Sequence, residues 1–155
     1  LAPAKGRGAR VTLDLGRGAA TLIDESYNAN PASMRAALDL LGQSDVGLRG
    51  RRIAVLGDML ELGETGPKLH ADLAEPIAHA SIDRVFCAGP LMKSLWQALP
   101  PDRRAAYGTS SKEIEAALVS DVQPGDVLMI KGSLGSRMGP LVEALKAKYP
   151  TRNDA

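Results

Sequence analysis

The sequence predicts an α/β fold: a mainly parallel sheet with helices on both faces, preceded by an N-terminal β-hairpin. Three observations carry this. Short apolar runs alternate with helical stretches along most of the chain. The runs at 53–56 and 127–130 are apolar without a break, as strands buried on both faces are. Near the start, an alternating run turns through Gly16-Arg17-Gly18 into a second one.

Taken in order, residues 1–10 are rich in Gly and Pro and read as a linker. Val11 to Leu15 alternates apolar and polar, the period of a half-buried strand, and Ala20 to Asp24 is its hairpin partner. Asn30 then caps a helix, Pro31 suits its first position, Met34, Ala37, Leu38 and Leu41 form its apolar face, and Gly42 stops it. Arg52 to Leu56 is the next strand, followed by the loop 57–63. A helix begins near Pro67, and Pro76 should kink or break it. Arg84 to Ala88 is a strand; Pro90 opens a helix with Met92, Leu95, Trp96 and Leu99 on one face. Ala105 to Tyr107 is a weak strand. Ser110 and Glu113 have capping-box spacing before a helix through Ile114, Ala117 and Leu118. Asp126 to Lys131 is the last strand, and Met138, Leu141, Val142 and Leu145 line a final helix. Residues 151–155 read as a frayed tail, leaving 11–150 as one domain.

Composition narrows the function classes. A chain of 155 residues, 45% hydrophobic and 24% charged, can bury its own core as a soluble domain. Its net charge of +1 lacks the basic excess of a nucleic-acid binder. No apolar stretch approaches the length of a membrane span, and the N-terminus lacks a signal-peptide pattern. The single cysteine, Cys87, excludes an internal disulfide and a multi-cysteine metal site; it reads as a core residue and fits a reducing cytoplasm. The start at Leu1, not Met, leads us to expect a fragment of a longer protein.

In a parallel sheet, the loops at 24–30, 57–63, 88–90 and 131–136 should share one edge, where open α/β sheets bind ligands. Asn30 alone reads as a helix cap. The whole run is different: Asp24, Glu25, Tyr27, Asn28 and Asn30 supply five polar groups where a cap needs one. The loop Gly57-Asp58-Met59-Leu60-Glu61-Leu62-Gly63 is either folded onto its own core or a wall for a small, partly apolar ligand. Lys131-Gly132-Ser133 is either a strand ending at a charge, with Lys131 paired to Asp58 or Glu61, or a lysine, a hydroxyl and close backbone N–H groups aimed at a carboxylate or phosphate. The glycine favours the second reading. His79 reads as a surface residue, and His70 as a core residue rather than a site residue. There is no P-loop and no G-x-G-x-x-G fingerprint, so neither a triphosphate cradle nor a dehydrogenase is indicated.

These residues resemble the C-terminal domain of the Mur ligase family. The likeness is carried by Gly6-Arg7, by 23–31 with Ser33-Met34, by 55–63, by His70, and by Lys131-Gly132-Ser133 with Arg137-Met138. Within the family they are most similar to the member that joins D-alanyl-D-alanine to UDP-N-acetylmuramoyl-tripeptide. Glu25 stands where an Asp is common, which keeps the charge and moves it by one methylene. The resemblance implies a Rossmann-like third domain, inactive alone, that closes over an N-terminal UDP-sugar domain and a central P-loop domain. ATP with Mg2+, held mainly by the central domain, would activate the tripeptide carboxylate as an acyl phosphate, and the dipeptide amine would attack it. Arg7 would reach nucleotide phosphate, and Glu25, Tyr27, Asn28 and Asn30 would hold adenosine. Asp58, Met59, Leu60, Lys131 and Ser133 would line the dipeptide side. No catalytic group and no metal ligand is expected in this domain. The resemblance further implies a cytoplasmic monomer that binds neither nucleic acid nor membrane.

The rival from another class is a phosphoacceptor receiver module for signalling, because Asp24-Glu25, Asp58 and Lys131 mimic its acidic pair, acceptor and lysine. A hairpin before the acidic pair argues against it.

Overall fold

The computed structural model describes residues 5–153. Within them one sheet holds β1 (Ala9–Asp14), β2 (Ala19–Glu25), β3 (Arg52–Gly57), β4 (Arg84–Ala88), β5 (Arg104–Gly108), β6 (Val127–Lys131) and β7 (Thr151–Asn153). Their order is β5-β4-β3-β6-β2-β1-β7. The five strands from β5 to β2 are parallel, while β1 runs antiparallel to both β2 and β7. The expected hairpin and parallel sheet are therefore both present. The helices are α1 (Pro31–Gln43), α2 (Gly66–Ala71), α3 (Ala74–His79), α4 (Met92–Ala98), α5 (Ser111–Asp121) and α6 (Gly139–Lys148).

Strand period two sorts the core into two layers. Ala54 and Leu56 of β3, Val85 and Cys87 of β4, and Val127 and Met129 of β6 face α1, α3 and α4. Ile53 and Val55, Phe86 and Ala88, and Leu128 and Ile130 face α5 and α6. The chain thus leaves β2 and β3 toward one face and β6, which lies between them, toward the other. Loops that diverge from neighbouring parallel strands leave a crevice, the switch point at which such sheets bind ligands.

Two local expectations change, and the expected break in the helix from Pro67 is present but displaced toward its N-terminus. Residues after Pro150 do not fray as far as Asn153: Thr151–Asn153 pair with β1 and extend the sheet. The outer edge of β1 offers unpaired backbone groups, and the returning chain satisfies them. The helix expected from Pro67 is interrupted at Asp72 and Leu73, between α2 and α3, with Pro76 the third residue of α3. Proline lacks the N–H that would bond four residues back, so the interruption falls just ahead of it and not at it. Glu113 does not complete a box on Ser110. Its carboxylate accepts from the N–H and hydroxyl of Thr109, while Ser110 makes no side-chain cap bond. Of the expected linker, residues 1–4 lie outside the described residues. Gly6 and Gly8 are bonded to Asp24, and β1 begins at Ala9.

Opposite the loop edge, Asp126 ties the starts of β3 and β6 together. Its side chain is fully buried and accepts from N, Nε and Nη2 of Arg51 and from the N–H of Gln123.

Burial, reinforced by the nearby Asp58 carboxylate, pushes the Cys87 thiol up from 9.0 to about 12. Above pH 9 the unfolded thiol ionises while the folded one keeps its proton. Stability then falls as pH rises, by about 1.4 kcal/mol per unit from this group. Denaturant unfolding of wild type and Cys87→Ala between pH 8 and 11 should give a difference curve with that slope. A flat difference would show that the thiol ionises freely in the fold.

Candidate functional site

The crevice between β2 and β6 is built on a buried carboxylate. Asp24 accepts from the N–H of Gly6 (2.9 Å), the N–H of Ser26 (3.0 Å) and the hydroxyl of Ser26 (2.6 Å). The N–H of Tyr27 returns to the Gly6 carbonyl at 3.0 Å. Residues 6–8 and 24–27 are thereby one unit. Gly6 is required there: its φ is +78°, and a Cβ would meet the Tyr27 backbone N at 3.1 Å. The Arg7 guanidinium lies over the Tyr27 ring, 4.1 Å from its centre, a cation–π contact.

Lys131 belongs to this crevice. It pairs in register with Glu25 of β2, and its parity matches Met129, so its side chain points to the α1 face. There Nζ donates to the Asn28 carbonyl at 2.9 Å. Burial lowers the Lys131 pKa from its ordinary value, with Glu25 opposing the shift. The cavity lined by Gly6, Arg7, Glu25, Tyr27, Asn28 and Lys131 measures about 250 Å³. Two cations, a carboxylate, an exposed aromatic ring and an exposed amide therefore converge. Asn30 is close in sequence but engaged otherwise: its side chain accepts the Ser33 N–H, and the Ser33 hydroxyl accepts the Asn30 N–H, a full capping box.

A second cleft of about 420 Å³ opens where the loops after β3, β4, β5 and β6 meet; Asp58, Leu60, Gly89, Ser110, Lys112 and Arg137 line it. Asp58 is buried and accepts the N–H groups of Leu91 and Met92, holding the start of α4. Burial raises its pKa, and those two N–H groups pull it back. Gly89, at φ +121°, makes room for it; a Cβ there would fall onto the Asp58 carboxylate. Ser133 stitches the loops: its hydroxyl accepts the Leu60 N–H at 3.0 Å and donates to the Ala29 carbonyl at 3.3 Å.

The dipeptide-side residues expected from the sequence are therefore split. Asp58, Leu60 and Ser133 are brought together. Lys131 is not with them; it pairs with neither Asp58 nor Glu61 and sits among Arg7, Glu25, Tyr27 and Asn28. Met59 turns into the core and is 0% exposed, so its side chain lines no cleft. Of the two readings of the 57–63 loop, Met59 follows the core one and Leu60 the wall one. Gly132 serves packing, not ligand approach: a Cβ would meet Met138 Cγ at 2.7 Å. His70 is fully buried, as a core residue. Its Nε2 accepts the Met59 N–H and Nδ1 lies 2.6 Å from the Gly66 carbonyl, which makes the ring neutral with its proton on Nδ1. No role in the sequence reading was attached to Arg137 or Lys112. The available signal was a basic residue beside Gly and Ser just after a strand. Among the described residues no group of three or more His, Cys, Asp or Glu is placed to hold a metal ion.

Comparison with known proteins gives this geometry a context. The family described as "Mur ligase, glutamate ligase domain" matches residues 6–134. The chain is 34% identical over 129 residues to the UDP-N-acetylmuramoyl-tripeptide–D-alanyl-D-alanine ligase of Bacillus subtilis (strain 168), covering 81% of this chain and 28% of that one. The ligase of the same name from Escherichia coli (strain K12) is 34% identical over 125 residues, covering 81% of this chain and 26% of that one. Among solved structures, MurF from Acinetobacter baumannii superposes with a TM-score of 0.78 at 27% identity, over 93% of this chain and 31% of that one. MurF ligase from Thermotoga maritima in complex with ADP gives 0.76 at 24% identity, over 96% and 32%, a likeness of fold. The chain spans less than a third of the length of these relatives.

Proposed function

Since the chain belongs to the Mur ligase family, in its glutamate ligase domain, we propose that it is the C-terminal domain of an ATP-dependent ligase. That enzyme joins D-alanyl-D-alanine to UDP-N-acetylmuramoyl-tripeptide in the making of the peptidoglycan precursor. The domain proper would run from β1 to β7, Ala9–Asn153, wider at both ends than the 11–150 expected from the sequence, with the preceding residues leading in from the central domain. The working protein would be a cytoplasmic monomer.

The observation that carries this reading is the convergence of Arg7, Glu25, Tyr27, Asn28 and Lys131 at the switch point. The set fits a nucleotide: two cations for phosphate, a carboxylate for hydroxyls, an amide and a ring for the base. Arg7 and Lys131 would hold the phosphate side; Glu25, Tyr27, Asn28 and the capping residue Asn30 would hold adenosine. The second cleft, lined by Asp58 and Leu60 with Ser133 bonded to the Leu60 backbone, would take the dipeptide. ATP supplies the phosphoryl group that activates the tripeptide carboxyl, and Mg2+ would be held by the central domain. This domain contributes by closing: it orients the amine, excludes water and sets charge beside the reacting groups.

The receiver reading has no support in the family match. Its required residues are also engaged apart: Asp24 with Gly6 and Ser26, Asp58 with Leu91 and Met92, Lys131 with Asn28.

The test is steady-state kinetics of the full-length enzyme that carries this domain. Asn28→Ala should raise the KM for ATP by about tenfold, the worth of one hydrogen bond of about 1.5 kcal/mol. Asn28 is exposed and its side chain makes one bond, accepting the Ala29 N–H at 2.9 Å, so the melting temperature should fall by only a few degrees. An unchanged KM with a lowered melting temperature would remove Asn28 from the nucleotide site. Failure of the wild-type enzyme to consume ATP when given both substrates would remove the ligase reading itself.

A further inference from the structure

We propose that Arg137, with Lys112 beside it, grips the free carboxylate of the incoming dipeptide and so sets the requirement for an acceptor with an unblocked C-terminus. This rests on the ligase reading above and adds a specificity-determining residue to it.

Cations outnumber carboxylates on the walls of the second cleft. Lys112 and Arg137 line it, Arg137 standing also on the wall of a neighbouring cavity of about 450 Å³ beside Gly6, Ser26 and Tyr27, and neither takes part in an ion pair among the described residues. Asp58 is the one carboxylate on its walls. It is 4% exposed, and both its oxygens already accept backbone N–H groups, from Leu91 and Met92. The cations are therefore left to a ligand that brings its own negative charge. At about 420 Å³ the cleft admits a dipeptide, and Ser110 and Ser136 add hydroxyls to the same wall. A guanidinium offers two parallel N–H groups, the geometry a carboxylate accepts. With the carboxylate drawn to the cations, the amine is the end left facing the mouth.

The backbone at Arg137 supplies a clean variant for testing this. Arg137 has φ +56° and ψ 50°, a left-handed conformation that glycine adopts without cost and residues with a Cβ at a cost. The Ser111 hydroxyl holds it there, donating to the Arg137 carbonyl at 2.8 Å.

That strain separates function from stability. Arg137→Gly removes the guanidinium and relieves the backbone together. In the full-length enzyme, wild type should use D-alanyl-D-alanine far better than D-alanyl-D-alaninamide. Arg137→Gly should raise the KM for the free dipeptide roughly ten- to a hundredfold and erase the preference over the amide. Its KM for ATP should be unchanged and its melting temperature no lower than wild type's. Arg137→Lys should recover part of the preference, since the charge returns without the fork. A wild-type dipeptide KM in Arg137→Gly, or an intact preference for the free acid, would overturn the proposal while leaving the ligase reading in place. A wild-type enzyme unable to join the dipeptide at all would overturn both.

Discussion

Lys131→Met is expected to cut kcat/KM for ATP in the full-length ligase by roughly ten- to a hundredfold while leaving the fold intact. A charge-assisted contact is worth about 1.5–3 kcal/mol, which is that range of rate. Methionine keeps the length and apolar stem of a side chain that is 5% exposed, so packing survives and only the ammonium is lost. The carbonyl it abandons belongs to Asn28, which is exposed and can turn to water. The variant also has a signature in pH. Burial lowers the Lys131 pKa in the folded state, so between that value and 10.5 the unfolded chain binds more protons than the folded one. Stability from this group therefore rises with pH through that window, the opposite sense to Cys87, and Lys131→Met should lose the rise. If the loss of activity tracks a fall in melting temperature instead, Lys131 is a structural bond to the Asn28 loop and nothing more.

Asp126→Ala should be the most damaging single change to stability, lowering the unfolding free energy by about 3–5 kcal/mol. The carboxylate accepts four hydrogen bonds, three from Arg51 and one from Gln123, and none of its surface is exposed. Removing it leaves the partly buried Arg51 guanidinium with one bond, from Nη2 to the Asp121 carbonyl at 2.6 Å, and with a distant acid, Asp121 at 3.5 Å, that is already bonded to Arg84. Urea unfolding of the 155-residue chain at pH 7 measures the loss directly. Because the network lies at the sheet edge opposite both clefts, the folded fraction of the full-length variant should keep wild-type KM values. A loss below 1 kcal/mol would mean that water replaces the carboxylate without penalty, and that the pairing of β3 with β6 does not depend on it.

Much of this protein is written locally in its sequence. Period-two apolar runs, Gly and Pro punctuation, the Asn30 cap and the interruption caused by Pro76 each depend on residues a few positions apart, and each appears in the fold. The common edge for the loops at 24–30, 57–63, 88–90 and 131–136 follows from the alternation alone, because parallel strands must all end on the same side. What sequence order did not contain was which strands are neighbours. Placing β6 between β3 and β2 is a non-local pairing, and it decides every assignment at the site. Parity along β6 then sends Lys131 to Asn28 and away from Asp58. A loop that must cover the core turns Met59 inward while leaving Leu60 out. The free edge of β1 recruits Thr151–Asn153 into the sheet. The turn between β6 and α6, bent by a left-handed Arg137, brings that residue to the wall of a cleft whose more distant walls come from Asp58 to Lys112, far earlier in the chain. Hydrophobic periodicity acts over a few residues and is legible in the chain. Side-chain company at a sheet edge depends on strand order and loop direction, which exist only once the core has closed.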